Sequence, residues 1–278
     1  MKPVRALLAV LACLALAACG SSGEPAFSEG STMARVQRNG LLTVGIKFDY
    51  PLFGFKDPDS GRITGFDAEM ARMVAKDLTG SERNVRFVET LPVQREDFLR
   101  QGVVDLVIAT YSITPARSQV VGFTEPYYQA GQDVLVRAGD KRIDDVADLD
   151  GRAVCTTTRS TSLDRLRDRV PGARLVVVDN SSECVPALTA GRIDAISTDD
   201  TILLGLVNRR PDALRLVGRP FGREPYGMGV RKEDVVFRDY LSGLIGRCLR
   251  DGRWDRAFRD TIGLSGATAA QAKPPVTH

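Results

Sequence analysis

The sequence predicts an α/β fold of two similar lobes joined by two hinge strands. Three observations predict it. A strand–helix–strand–helix–strand order occurs twice, over residues 41–109 and 152–197. The third strand of each set opens on the same spacing, Gly102-Val-Val-Asp105 and Gly191-Arg-Ile-Asp194. The second set is inserted in the first: 132–137 carries the chain across and 226–230 brings it back.

Taken in order, residues 1–19 form a targeting segment. Lys2 and Arg5 supply its positive end, and the apolar run over 6–18 is too short to span a bilayer. The run ends in Leu16-Ala17-Ala18-Cys19-Gly20, which resembles the lipobox of bacterial lipoproteins. It predicts lipidation of Cys19 and anchoring to the extracytoplasmic face of the cell membrane. The alternative is an ordinary secretory signal. Residues 20–33, small and polar at their start, are expected to be a flexible tether.

The first lobe is expected over 34–131 and 224–264. Its opening strand is 41–46, and a loop rich in Asp, Pro and Gly follows over 47–61. Phe66, Met70, Met73, Val74 and Leu78 fall at helical spacing, with Asp67 and Glu69 in the first turn and Gly80 as the stop. A strand over 85–88, a helix over 96–101 closed by Gly102, and a strand over 103–109 complete the set. Thr110, Ser112 and Thr114 then break the apolar run. Thr114 reads as an N-cap, Pro115 as the first helical residue, and Arg117 follows.

The second lobe is expected over 132–223. Strands at 152–156, 175–178 and 193–197 alternate with helices at 161–169, ended by Pro171-Gly172, and 183–190, closed by Gly191. The amphipathic stretch 239–262, with the only tryptophan, Trp254, is expected to pack on the first lobe. Residues 265–278 are expected to be disordered.

Composition narrows the function classes. The 278 residues are 43% hydrophobic and 26% charged, an ordinary globular balance with a formal net charge of +3. No run of Lys and Arg is dense enough for a nucleic-acid footprint. The single histidine, His278, is the last residue, which argues against a histidine metal site, a Ser-His-Asp triad or a Cys-His pair. No metal, cofactor or catalytic residue is expected. Outside the cytoplasm disulfides persist. Beyond Cys13 and Cys19 the cysteines are Cys155, Cys184 and Cys248. Cys155 and Cys184 are a candidate bridge, with two small buried thiols as the alternative. Cys248 is expected in the core.

Ligands of open α/β sheets sit at the carboxyl ends of strands. Those ends are 47–50, 90–94, 110–117, 157–162 and 198–200. Arg117, Ser112 and the amides of 159–162 suit an α-carboxylate. Asp199, with Thr198 before it, suits an ammonium, and Thr110 adds a backbone carbonyl. Tyr50 is expected over the ligand's aliphatic stem. Lys47 and Arg159 remain for its side chain. A second carboxylate matches them, which favours glutamate or aspartate; a neutral amide leaves a cation unpaired. Each residue has a plainer role: Asp199 as a helix cap, Lys47 and Arg159 in solvent, Tyr50 in the core. Asp105 and Asp194 are expected to be structural.

Ile108-Ala-Thr-Tyr-Ser-Ile-Thr-Pro-Ala-Arg117, Phe123-Thr-Glu-Pro-Tyr-Tyr128 and Gly65-Phe-Asp-Ala-Glu-Met-Ala71 resemble the polar amino-acid solute-binding proteins of ABC importers, over residues 34–263. Within that family the likeness is greatest to glutamate-binding lipoproteins of Gram-positive bacteria. It runs through Ala109-Thr-Tyr-Ser-Ile113, the cysteine pair and Thr198-Asp-Asp-Thr-Ile-Leu203. The resemblance implies a type II periplasmic-binding-protein fold, with a mixed, mostly parallel sheet in each lobe and helices on both faces. It implies that Arg117 holds a ligand carboxylate and Asp199 its ammonium. Thr110, Ser112, Ser160 and Thr161 complete the shell, and Cys155 and Cys184 pair. It further implies a monomer that hands its ligand to ABC permease transmembrane subunits. Two departures stand out. Many members place a Phe where residues 90–93 read Thr-Leu-Pro-Val, leaving Leu91 as the lid candidate, and Arg159 replaces a small residue. Two other functions compete. One is a sensor engaging a membrane receptor or kinase. The other is an exported dehydratase on the same scaffold, which needs a general acid; Glu89 and Glu125 are its nearest candidates.

Overall fold

The computed structural model describes residues 27–275. The signal segment, Cys19 and His278 lie outside the described residues.

The first lobe opens with α1 (Thr32–Asn39), capped by the Ser31 hydroxyl, which accepts from the Ala34 N–H at 3.1 Å. Met33 is buried in this helix, so the tether expected over 20–33 stops short of it. The central strand β1 (Leu42–Ile46) is buried throughout, as a continuous apolar run requires. The loop expected over 47–61 contains strands instead: β2 (Asp49–Tyr50), β3 (Gly54–Lys56) and then β4 (Ile63–Thr64) form a small antiparallel sheet. Strands of two or three residues are too short to show the alternation that would reveal them. Helix α2 (Phe66–Thr79), strand β5 (Val85–Glu89), helix α3 (Arg95–Arg100) and strand β6 (Leu106–Val107) follow. Asp105 and Ile108 add backbone bonds to Thr43 and Gly45 of β1, but only Leu106–Val107 of the expected strand 103–109 form β6. Its extension ends at Thr110, whose φ of 43° leaves the extended region. Helix α4 (Pro115–Ser118) is capped by Thr114, and β7 (Val121–Phe123) ends the run.

The crossing strand β8 (Tyr128–Arg137) leads to the second lobe: β9 (Ala153–Thr157), α5 (Thr161–Arg169), β10 (Arg174–Val178), α6 (Cys184–Thr189), β11 (Ala195–Asp199), α7 (Asp200–Arg209) and β12 (Leu214–Leu216). The return strand β13 (Phe221–Tyr226) lies antiparallel beside β8, with Tyr226 opposite Tyr128. Strand β14 (Gly229–Arg231) then joins the first sheet, and α8 (Val235–Arg250) and α9 (Arg253–Asp260) close over it.

The two sheets are mixed. Their orders are β5-β1-β6-β14-β7 and β10-β9-β11-β8-β12, with β13 also on β8. Pairing is parallel within each strand–helix–strand–helix–strand unit and antiparallel where the later strands join. The repeat in sequence is a repeat in structure. Gly102 and Gly191 end their helices at φ 68° and 73°, a region open to glycine. Three residues on, Asp105 accepts the Thr43 N–H of β1 at 2.8 Å, and Asp194 accepts the Ala153 N–H of β9 at 2.9 Å.

The largest core lies in the first lobe. Phe66 meets Tyr127, Tyr128, Trp254 and Phe258, and the Trp254 indole donates to the Tyr127 carbonyl at 2.7 Å. Of the tail expected to be disordered over 265–278, the described part, through residue 275, is packed instead. Helix α10 (Ala269–Ala272) buries Ala272, and Lys273 pairs with Asp255 at 2.7 Å.

Cys155 and Cys184 form a disulfide between β9 and α6, and Cys248 is a buried free thiol. The bridge closes a loop with a sequence separation of 29. Chain entropy then assigns it about 3–4 kcal/mol. Thiol counting on the denatured, unreduced protein without residues 1–26 should find one thiol, rising to three after reduction. Urea unfolding should show a stability loss of that size.

Candidate functional site

A cavity lies between the sheets where their carboxyl ends face each other. It is lined by Arg95, Thr110, Ser112 and Arg117 from the first lobe, and by Ser160, Thr161, Thr198 and Asp199 from the second. Tyr50, Pro92 and Ile202 supply its apolar wall. Its volume is about 20 Å3, room for about one water molecule. An amino acid therefore enters only when the lobes part or the lining side chains shift.

Arg117 spans the gap. Its guanidinium donates to the Ser112 carbonyl at 2.9 Å and, across the lobes, to the Arg159 carbonyl at 3.1 Å. Both acceptors are neutral, so a carboxylate would take their place with stronger, charge-assisted bonds. Burial, and after it the neighbouring Arg95 charge, push the Arg117 pKa below its usual value.

Arg95 is one residue that sequence reasoning missed. It is 4% exposed and donates to the Ala109 carbonyl at 2.6 Å, while its buried Nε has no partner. Arg95 and Arg117 both lie over the Tyr111 ring, at 4.8 and 5.1 Å. Among the described residues neither has a carboxylate within 4.0 Å. Its sequence signal was slight, an arginine at the start of a short helix.

Asp199 stands at the other end. It occupies the N-cap position of α7 but makes no side-chain cap bond. Its carboxylate accepts instead from the Tyr226 hydroxyl and from Ser162 at 3.4 Å. Burial raises its pKa, and the nearby Glu224 charge raises it further. Glu224, also missed, is buried on β13, where it pairs with Arg165 and accepts from the Thr161 hydroxyl at 3.0 Å. That bond occupies the Thr161 hydroxyl proton. Ser160 caps α5 through the Leu163 N–H at 3.1 Å, and Thr198 meets Ser162 at 3.4 Å.

Two expected cations are not at the cavity. Lys47 is fully buried, its pKa lowered by that burial, and its charge is taken by Asp49 at 3.0 Å. Arg159 is exposed and contributes only its carbonyl, from a backbone at φ 51°. Tyr50 does line the cavity, with its hydroxyl 3.3 Å from Ser181. Leu91 does not, whereas its neighbour Pro92 does. Glu89 and Glu125 are exposed and lie away from the cavity.

Asp67 shapes the loop beneath the site. From the first turn of α2 it accepts the Thr110 N–H at 2.9 Å and the Tyr127 hydroxyl at 2.6 Å. Burial pushes its pKa up to about 6. These bonds hold Thr110 in its left-handed conformation.

Residues 42–263 match the bacterial extracellular solute-binding proteins, family 3. The chain belongs to that family. It is 36% identical to the ABC transporter glutamine-binding protein GlnH of Bacillus subtilis over 92% of this chain and 95% of that one. It is likewise 36% identical to the glutamate-binding protein GluB of Corynebacterium efficiens, over 96% and 92%. A cysteine-binding protein from Campylobacter jejuni superposes with a TM-score of 0.82 at 25% identity, covering 88% of this chain and 99% of that one. Two-lobed amino-acid-binding proteins of ABC importers are thus this solute-binding protein's relatives, and members of the family are extracytoplasmic.

Two outcomes are expected. Asp67→Ala should lower stability by about 2–4 kcal/mol in urea titration, because a buried N–H and a buried hydroxyl lose their acceptor; Asp67→Asn should recover part of it. If Asp199 takes a ligand's ammonium it does so in its ionised form, and with the lobes together burial raises its pKa. Binding would then expel a proton, and affinity would fall as the pH is lowered. Calorimetry from about pH 7 to about pH 5 should show a loss approaching tenfold per unit.

Proposed function

We propose that this solute-binding protein captures an acidic amino acid, glutamate or aspartate, and delivers it to an ABC permease. In this reading it is a monomer anchored to the extracytoplasmic face of the membrane through Cys19, and it performs no chemistry. Arg117 takes the α-carboxylate together with Ser112, Ser160 and the first amides of α5, while Asp199 takes the ammonium with Thr110 and Thr198 beside it. The observation that carries the acidic preference is Arg95: a second buried guanidinium lines the cavity beside Arg117 and, among the described residues, has no carboxylate within 4.0 Å. Lys47 and Arg159 carry no part of this preference.

Uncompensated buried charge is costly, and a ligand's second carboxylate removes that cost where a neutral amide does not. Glutamine is the second reading, favoured by the likeness to GlnH. The two are separated by a thermal-shift screen over the twenty amino acids, followed by calorimetry on variants. Arg117→Ala and Asp199→Ala should each lose about 2–5 kcal/mol of affinity for every ligand. Arg95→Met should lose glutamate binding at least about tenfold more than glutamine binding, since one decade is about 1.4 kcal/mol. An unchanged ratio would remove Arg95 from the site and leave the acidic preference without support.

A further inference from the structure

A second set of contacts joins the lobes, built by Lys47, Asp49 and Tyr50 on one side and the consecutive residues 180–182 on the other. The Lys47 amine donates to the Asn180 side-chain oxygen at 2.7 Å. The Tyr50 and Ser181 hydroxyls meet at 3.3 Å. The Ser182 hydroxyl donates to Asp49 at 3.0 Å, with the Ser182 N–H on the same oxygen at 3.5 Å. Asp49 thus uses one carboxylate oxygen for Lys47 and the other for Ser182.

Asp49, Asn180 and Ser182 do not line the cavity. They touch the opposite lobe and would not touch a ligand. The turn that carries Ser181 and Ser182, Ser181–Glu183 with Asn180 at its N-cap, runs directly into Cys184, which is bridged to Cys155 in an inner strand of the second sheet. The bridge pins the turn to the lobe it belongs to, so the turn moves with that lobe as a unit. On the other side Lys47 is fully buried, and its neutralising partner Asp49 sits 15% exposed at the seam. Parting the lobes breaks all three contacts together.

We propose that residues 180–182 are a latch, specific to the closed form, that sets how fast the lobes reopen on a bound ligand. The inference rests on the reading that the lobes close on an amino acid. A contact made only in the closed form raises the closed population, and apparent affinity scales with that population. One hydrogen bond of ordinary net strength shifts such an equilibrium by about three- to tenfold. The latch acts on dissociation, because it forms after the ligand has entered an open cleft.

The test uses the mature chain, with L-glutamate and L-glutamine as probes. Stopped-flow dissociation should be about three- to tenfold faster in Ser182→Ala and in Asn180→Ala. Association rates and the melting temperature of the ligand-free protein should not change, and Ser182→Thr, which keeps the hydroxyl, should restore the slow rate. Dissociation unchanged in both alanine variants overturns the latch. A second arm needs no ligand: Asp49→Cys with Ser182→Cys should cross-link under mild oxidation, read by mass spectrometry, and should shrink the radius of gyration in solution scattering. Absence of the cross-link overturns the latch. If neither amino acid binds, the functional reading fails by itself, and the cross-link still decides whether these surfaces meet.

Discussion

The antiparallel pairing of β8 with β13 is the constraint on which the rest of the molecule depends. It places the outward and returning crossings side by side, with Tyr128 opposite Tyr226. Two adjacent strands resist shear but bend together, so the relative motion they allow is a hinge. The same pairing brings both sheets' carboxyl ends to one gap. Aromatic packing fixes the hinge to the first lobe: Tyr128 and Tyr226 stack 5.5 Å apart, and Phe53 packs edge-on against both. The Tyr226 hydroxyl then reaches Asp199 of the second lobe. One residue therefore serves both the hinge and the cleft.

The electrostatics of the gap follow from that geometry. Positive charge gathers on the first lobe, where Arg95 and Arg117 share the Tyr111 ring, and negative charge on the second, where Asp199 stands near Glu224. Each group is perturbed in the direction that burial dictates, the guanidinium of Arg117 downward and the carboxylate of Asp199 upward. In the proposed reading a ligand carrying both signs of charge completes such a cleft, and that complementarity, more than apolar area, is what it recognises.

The two lobes repeat a framework and differ where they meet. Asp105 and Asp194 hold equivalent strand N–H groups, each behind a left-handed glycine. The two non-glycine residues with positive φ, among those described, are Thr110 and Arg159, one on each side of the cleft. Strained backbone at a site persists only where its surroundings hold it. For Thr110 the holder is Asp67. For Arg159 the structure shows the Arg117 guanidinium on its carbonyl.

The framework was legible because it rests on local signals. Apolar periodicity, the Thr114 cap with Pro115, and the Gly-x-x-Asp spacing all act within a few residues, so they survive reading as a string. The places of Arg117, just inside the helix that Thr114 caps, and of Asp199, at the end of a strand, were legible for the same reason. What the string could not decide was which charges are already spent. Lys47 looks like a free cation until folding sets Asp49 and Asn180 beside it. Arg95 looks like a surface helix residue until α3 packs it under Tyr111, and Asp67 like a helix-start acid until Thr110 and Tyr127 arrive from 43 and 60 residues away. The short strands β2 to β4 and the packed tail α10 escaped for a related reason, since neither is long enough to carry a period. Sequence alone determined the two-lobed scaffold and the opposed charges at the ends of its cleft, because chain-local physics specifies them. Only the tertiary structure decided which charges are left for a ligand, because pairing between distant segments is settled by where the fold brings them.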